Sequence, residues 1–212
     1  MRYRLIVADL DGTLMGEDVT ISPATRAAVA QVMAAGAYFT IATGRTLLGA
    51  LPHAQRLGIN APAILYQGGE IRDLDAGRLI HQSTVPLDTA QDFMATIARA
   101  GLHLNVYLDG RAYAAARTPI SEYYTALNGV QIETVGDLPA FVTRPPSKML
   151  IIAEPAQVDA LSPVLSRQYA GRLQIVRSNP RFLEAIPLDA NKGRGLARLA
   201  GHLGVAQAQT VA

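Results

Sequence analysis

The feature that constrains the fold most is a short apolar run near the start of the chain, Leu5–Ala8, which ends in Asp9. Such a run predicts a strand buried on both faces, as in a parallel sheet covered by helices. The strand would place Asp9 at its carboxyl end, where open α/β sheets bind ligands. Asp11 follows two residues later, and a carboxylate pair needs a counter-charge, which predicts a divalent cation. Gly12 permits a tight turn whose N–H groups can point at an anion.

The alternation of elements over the first third of the chain predicts right-handed crossovers and a parallel sheet. Ser22 and Pro23 are typical of a helix N-terminus, and Gly36 is typical of a helix end. Further elements are expected as strands at residues 38–42 and 63–66 and a helix at residues 46–57, which Pro52 is expected to break.

A second candidate anion site is the Thr43-Gly44 pair, which follows the second predicted strand and precedes a helix. A threonine hydroxyl and a glycine N–H in that position can bind phosphate oxygens. The alternative is that Thr43 only caps the following helix.

The middle of the chain has a different pattern, in which hairpins and helices predict a separate α+β unit. The hairpins are centred on residues 75–77 and on Asp109-Gly110. Helices are expected at residues 87–99, 121–127 and 156–169, and strands at residues 130–134, 148–153, 173–177 and 182–185. After this unit, Lys192 precedes a helix predicted at residues 195–203. A lysine there opposes the helix dipole, so it is either functional or simply solvated in a loop.

Composition narrows the class of protein. The chain of 212 residues is half apolar, which suffices for a substantial core, and its formal net charge is only +2. Basic residues are scattered, which argues against nucleic acid as a partner. The absence of cysteine excludes disulfides and thiolate catalysis and suits a reducing compartment. No secretory leader and no apolar stretch of spanning length are recognisable, so no membrane association and a cytoplasmic location are expected.

Asp9-Leu10-Asp11-Gly12-Thr13, Thr43-Gly44-Arg45 and Lys192-Gly193 together resemble the first three motifs of the haloacid dehalogenase superfamily, in its Cof-type branch. An ordinary acidic turn is the alternative interpretation of the first motif. The resemblance implies that Asp9 is a nucleophile that becomes an aspartyl-phosphate and that Asp11 is the general acid and base. It also implies Mg²⁺ held by Asp9 and Asp11. The phosphoryl group would be bound by Leu10, Thr43, Gly44 and Lys192.

The same resemblance implies the domain organisation. A Rossmann-like core would comprise residues 1–80 and 188–212, and residues 81–187 would form an inserted α+β cap that selects the substrate. Relatives continue into a strand and a Gly-Asp and Asn-Asp pair that complete the metal site. The printed sequence contains no such fourth motif, so an incomplete core is expected, with an exposed edge beside the central strand.

The function expected from these features is Mg²⁺-dependent hydrolysis of a small phosphomonoester such as a sugar phosphate. Two alternatives stay open, a relative that binds phosphate compounds without turnover and a phosphomutase. Gln67 stands where relatives have asparagine, and its role is left unassigned. Tyr107, Arg177 and Asn179 could contact substrate, although structural roles are favoured. The four histidines share no metal-site spacing, and dinucleotide, P-loop and serine-hydrolase motifs are absent.

Overall fold

The computed structural model describes residues 2–16 and 19–212 and divides the chain into two compact units. Unit 1 comprises Met1–Gln82 and Asp189–Ala212, and unit 2 comprises Ser83–Leu188. The strands are β1 (Leu5–Ala8), β2 (Tyr38–Ile41), β3 (Ala63–Leu65), β4 (Glu70–Arg72), β5 (Leu79–Gln82), β6 (His103–Leu108), β7 (Arg111–Ala114), β8 (Ile132–Thr134), β9 (Lys148–Ile152), β10 (Gln174–Asn179), β11 (Phe182–Ile186) and β12 (Thr210–Val211). The helices are α1 (Pro23–Ala34), α2 (Leu47–Leu57), α3 (Leu87–Arg99), α4 (Pro119–Asn128), α5 (Leu138–Phe141), α6 (Pro155–Gln168) and α7 (Lys192–His202).

The centre of unit 1 is a parallel sheet in the order β12-β1-β2. The register pairs Leu5 with Tyr38 and Ala8 with Ile41, and a parallel bridge from Ala42 to Ile64 continues toward β3. The α/β class and the parallel core predicted from the sequence are therefore present. Along β1 the side chains of Leu5 and Val7 are buried and those of Ile6 and Ala8 are half-buried, so one face of the strand is fully covered and the other is covered in part.

Strand β12 occupies part of the edge of β1 that was expected to be exposed. Thr210 and Val211 pair in parallel with Leu5 and Ile6, so the first half of β1 has a neighbour on the side opposite β2. The expected absence of a strand beside β1 is therefore corrected for these two positions.

Helix capping in unit 1 follows the sequence signals. The Ser22 Oγ accepts the Thr25 N–H at 3.0 Å, and Pro23 begins α1. The Gly58 backbone is left-handed, with φ +63°, and ends α2. The predicted break at Pro52 is wrong because α2 is continuous through it. A proline in a helix removes one backbone donor, and here the rest of the buried helix face keeps its packing.

Antiparallel strands extend unit 1 beyond the parallel sheet. Strand β3 pairs with β4, and β4 pairs with β5 across the hairpin predicted at residues 75–77. This hairpin belongs to unit 1, so its assignment to the separate α+β unit is wrong. In that turn the Asp73 carboxylate accepts the Asp75 and Ala76 N–H groups at 3.2 and 3.0 Å. Such Asx-type bonds pre-form the turn without tertiary contacts.

Unit 2 is a six-stranded sheet in the order β10-β11-β9-β6-β7-β8, antiparallel except for the parallel pair β7-β8. Asp109 and Gly110 both have positive φ values, +48° and +80°, which confirms the predicted hairpin turn. Helices α3 and α6 contribute Phe93, Ile97 and Val158 to a core shared with one face of the sheet. The short helix α5 was not predicted, although the Asp137 carboxylate caps it through the Ala140 N–H at 3.0 Å. None of the helices in residues 2–16 and 19–212 combines the length and the apolar composition that a membrane span requires.

We expect a half-buried histidine in unit 2, His103, to make the stability of the protein depend on pH. Burial lowers the pKa of His103 from its ordinary value of 6.5, against the opposing effect of its hydrogen bond with Asn105. Below 6.5 the unfolded chain takes up a proton that the folded state does not. The free energy of unfolding therefore falls as the pH is lowered through that value.

We expect His103→Gln to reduce this fall, since glutamine carries no titrating group. The measurement is urea unfolding followed by circular dichroism, at about pH 7.5 and about pH 5.5. His202→Gln, at an exposed position of α7, is the matched control. An unchanged pH dependence in H103Q would contradict the prediction.

Candidate active site

The two aspartates of the first motif stand on a turn that directly follows β1. Leu10 and Met15 are buried and anchor this turn, and the Gly12 N–H donates to the Met15 carbonyl at 3.0 Å. Gly12 has φ +75°, a conformation that glycine adopts without strain. Asp9 directly precedes the first anchor and Asp11 directly follows it, and their side chains keep 37% and 54% of their surface exposed. The turn thus presents both carboxylates to solvent at the end of a buried strand.

Lys192 forms an ion pair with Asp9. The lysine Nζ lies 2.6 Å from Asp9 Oδ2, while Asp9 Oδ1 accepts the Leu10 N–H at 2.8 Å. The tertiary structure therefore brings Lys192 to Asp9, although they lie 183 positions apart in the sequence. The pair also offsets the unfavourable position of a lysine at a helix N-terminus.

Helix α7 begins three residues before the predicted start at residue 195. The Asn191 side chain accepts the Arg194 N–H at 3.2 Å, which makes Asn191 the N-cap and Lys192 the first helical residue. Asparagine is among the best N-cap residues, so this signal was available in the sequence. Lys192 accordingly projects from a helix end, a more rigid support than a loop.

Two glycines fix this helix end against the turn after β3. A Cβ on Gly68 would lie 2.2 Å from the Asn191 carbonyl oxygen and 2.8 Å from the Lys192 nitrogen. A Cβ on Gly195 would lie 2.8 Å from Ile64 Cγ2. Backbones approach this closely only where no side chain intervenes. The position of Lys192 therefore depends on glycine at both sites.

Thr43 is fully buried at the end of β2, and its hydroxyl accepts the Arg45 N–H at 3.1 Å. Its own N–H donates to the Ile64 carbonyl at 2.9 Å. The alternative that Thr43 caps the next helix is wrong, because the Thr46 hydroxyl caps α2 by accepting the Gly49 N–H at 3.2 Å.

A strained turn lies against Gly44. Tyr66 and Gln67 have φ values of +51° and +58°, which residues other than glycine rarely adopt. Gly68 follows with a φ of +92°. The Gln67 N–H donates to the Thr43 carbonyl at 3.0 Å. A Cβ on Gly44 would lie 2.4 Å from Gln67 Nε2, so the Gln67 amide lies directly over Gly44. Residues 66–68 therefore form a tight turn with three successive positive φ values.

Arg45 contacts the first motif, although the sequence pattern assigned it no role. Its guanidinium contacts both oxygens of Asp11, with Nη2 at 2.7 Å from Oδ1 and Nε at 3.0 Å from Oδ2. The available signal was its position immediately after Thr43-Gly44, but nothing in a sequence pairs it with a residue 34 positions earlier.

Three further candidates have structural partners. The Tyr107 hydroxyl donates to the Tyr124 hydroxyl at 2.7 Å, and burial raises the pKa of Tyr107 well above its ordinary value. Arg177 forms an ion pair with Asp159, and the Asn179 side chain accepts the Arg181 N–H at 3.0 Å. These contacts agree with the structural roles favoured from the sequence.

The donor set at the turn after β1 fits a hard divalent cation. Among residues 2–16 and 19–212, no cluster of three or more histidine, aspartate or glutamate side chains could hold a metal ion. Mg²⁺, however, commonly binds through one or two carboxylates together with substrate phosphate and water. Asp9 and Asp11 offer exposed carboxylates on one turn, and their present partners are Lys192 and Arg45.

Comparison with known proteins finds relatives over nearly the whole chain. The profile of the family described as haloacid dehalogenase-like hydrolase matches residues 6–212. A protein of Serratia proteamaculans named HMP-PP phosphatase is 29% identical over 213 residues, which cover 99% of this chain and 76% of that protein. A crystal structure from Thermotoga maritima has a TM-score of 0.85 at 25% identity and covers 98% of this chain and 78% of its own. A crystal structure of a haloacid dehalogenase-like hydrolase from Bacteroides thetaiotaomicron has a TM-score of 0.88 at 24% identity, and the match covers 98% of this chain and 80% of that one.

Proposed function

This chain belongs to the haloacid dehalogenase-like hydrolase family, and we propose that it hydrolyses small phosphomonoesters with Mg²⁺ through an aspartyl-phosphate. The superfamily, the phosphatase class and the α/β fold predicted from the motifs are confirmed. We propose, in addition, the identity of the metal, the covalent intermediate, the substrate class and the role of each residue.

The observation that carries the proposal is the arrangement around Asp9. One of its oxygens faces the Lys192 ammonium and the other faces the Leu10 N–H. A carboxylate nucleophile needs cationic and N–H donors nearby, because the incoming phosphoryl group adds negative charge at the same place. The fold itself holds these two donors at the Asp9 carboxylate, which suits them to stabilise the charge that develops there.

In the first step, an Asp9 oxygen attacks the phosphorus in line with the leaving alcohol. The bond from phosphorus to Asp9 forms as the bond from phosphorus to the ester oxygen breaks. Asp11 gives its proton to that oxygen, which leaves as a neutral alcohol. The Thr43 hydroxyl, the Gly44 N–H, the Leu10 N–H and the Lys192 ammonium hold the phosphoryl oxygens.

In the second step, Asp11 accepts a proton from water, and the resulting hydroxide attacks phosphorus. The bond from phosphorus to Asp9 breaks, which restores the Asp9 carboxylate and releases inorganic phosphate. The proton gained by Asp11 serves the next first step, so proton and charge balance over the cycle.

A bound Mg²⁺ would be held by the Asp9 carboxylate and the Asp11 backbone carbonyl, and it would supply positive charge next to the phosphoryl oxygens. We expect EDTA to reduce phosphate release to the background rate and added Mg²⁺ to restore it. The assay follows inorganic phosphate from p-nitrophenyl phosphate at fixed ionic strength. Activity that survives EDTA and dialysis would contradict the metal dependence.

The substrate is proposed to be a small phosphorylated metabolite, selected by unit 2. A panel of sugar phosphates, other alkyl phosphates and HMP-PP, the compound in the name of the Serratia proteamaculans relative, tests this class. Measuring both inorganic phosphate and organic products separates the alternatives. An isomeric phosphate ester without phosphate release would indicate a phosphomutase, and binding without turnover would indicate a relative that only binds phosphate compounds.

A further inference from the structure

The Arg45 guanidinium is fixed at both of its ends. On one side Nε and Nη2 contact both oxygens of Asp11, at distances between 2.7 and 3.2 Å. On the other side Nη1 donates to the Gly49 carbonyl at 3.3 Å and lies 3.4 Å from His53 Nε2. A guanidinium whose three nitrogens all have partners has one orientation, and Arg45 is only 18% exposed.

The contacts of Nη1 come from a rigid element. Gly49 and His53 both lie on α2, which begins two residues after Arg45. Ala50 and Ala54 of the same helix are buried, at 0% and 1% exposure. Because α2 is packed in this way, the Gly49 carbonyl and the His53 ring are fixed reference points for the guanidinium.

The chemistry of His53 fits an acceptor for Arg45. An arginine nitrogen only donates, so the His53 Nε2 must accept, which requires a neutral ring with its proton on Nδ1. Burial, followed by the nearby charges of Arg45 and Arg56, lowers the pKa of His53 and favours this neutral form. Among the described residues, the buried Nδ1 has no hydrogen-bond partner. The tautomer with the proton on Nδ1 is therefore assigned from the contact between Arg45 Nη1 and His53 Nε2 alone.

Asp11, in contrast, has little support of its own. It is more than half exposed and precedes Gly12. Among residues 2–16 and 19–212, the contacts to its carboxylate come from Arg45. A general acid must stand within about 3 Å of the atom that it protonates. An unsupported carboxylate would divide its time among several rotamers.

We infer that Arg45, held by His53 and the Gly49 carbonyl, is a positioning residue that directs the Asp11 carboxylate toward the leaving-group oxygen. This inference rests on the proposed function, in which Asp11 protonates that oxygen. Arg45 itself takes no part in bond making. Its removal should therefore affect the step that needs the Asp11 proton and spare a step that does not.

The test compares two esters that differ in their need for a proton. An alkoxide leaves only when protonated, whereas p-nitrophenolate leaves without assistance. The measured quantity is kcat/KM for p-nitrophenyl phosphate and for the alkyl phosphate that the panel ranks first. This parameter covers steps up to the first phosphoryl transfer and omits the water step.

For Arg45→Gln we expect kcat/KM for the alkyl ester to fall about 100-fold, the loss typical of a misplaced catalytic group. For p-nitrophenyl phosphate the fall should be no more than about threefold. Arg45→Lys keeps the positive charge but cannot contact both Asp11 oxygens at once, so its alkyl-ester activity should lie between those of Arg45→Gln and the wild type. His53→Leu should show the same selectivity to a smaller extent.

Arg26→Gln is the matched control, because it removes a positive charge from the same unit at an exposed position of α1. It should leave the ratio of the two kcat/KM values unchanged. Circular dichroism and thermal melting of each variant report whether it is folded, and Arg45→Lys supplies a second variant if Arg45→Gln fails to fold.

An equal loss for both esters, or no loss for either, would overturn this inference and leave the proposed function intact. Wild-type protein that hydrolyses neither ester would overturn the proposed function and this inference together.

Discussion

Replacing Asp9 by Asn is expected to lower the kcat for phosphate release by at least about 1,000-fold. An amide cannot act as the nucleophile that forms an acyl-phosphate. It can still accept the Leu10 N–H, so the turn after β1 should keep its shape. Loss of the half-exposed Lys192 pair should cost little stability. The measurement is phosphate release at saturating substrate with Mg²⁺.

A direct check on the same variant is acid quenching of a single turnover with ³²P-labelled substrate. Wild-type protein should retain label on the chain, and Asp9→Asn should not. Asp73→Asn is the matched control, since it replaces a carboxylate in a turn of the same unit that makes only local hydrogen bonds. Substantial metal-dependent turnover by Asp9→Asn would refute the assignment of the nucleophile.

Replacing Gly68 by Ala is expected to destabilise unit 1 by about 3–5 kcal/mol and to abolish most activity. The added Cβ would lie 2.2 Å from the Asn191 carbonyl oxygen and 2.4 Å from its carbon, both in backbone that cannot rotate aside. The positive φ of +92° adds strain to the clash. Relief requires a shift of the α7 N-terminus, and with it of Lys192.

Gly77→Ala separates the two contributions, because Gly77 has φ +64° and no atom lies within 4 Å of the position that its Cβ would take. Its cost should be only the left-handed conformation, about 1–2 kcal/mol. Urea unfolding of both variants gives the comparison. If Gly68→Ala is no less stable than Gly77→Ala, close packing at this turn is not what fixes the helix end.

The separate elements of this protein could mostly be predicted from local signals. Ser22 and Pro23 mark the start of α1, and Asp109-Gly110 marks a hairpin turn, since both act through bonds to neighbouring residues. The start of α7 and the continuity of α2 through Pro52 were misjudged. In the first case a cap residue was overlooked, and in the second helix packing outweighed one lost backbone donor.

The candidate site divides in the same way. The family could be predicted from motifs that combine Asp9, Asp11, Thr43 and Lys192 in a set order. The contacts of Lys192 with Asp9, of Arg45 with Asp11 and of Gln67 with Gly44 could be seen only in the folded chain. The physical reason is the distance along the chain over which each kind of interaction acts. Capping and turn formation act within a few residues, whereas an ion pair or a backbone contact between distant segments exists only once packing has fixed both partners.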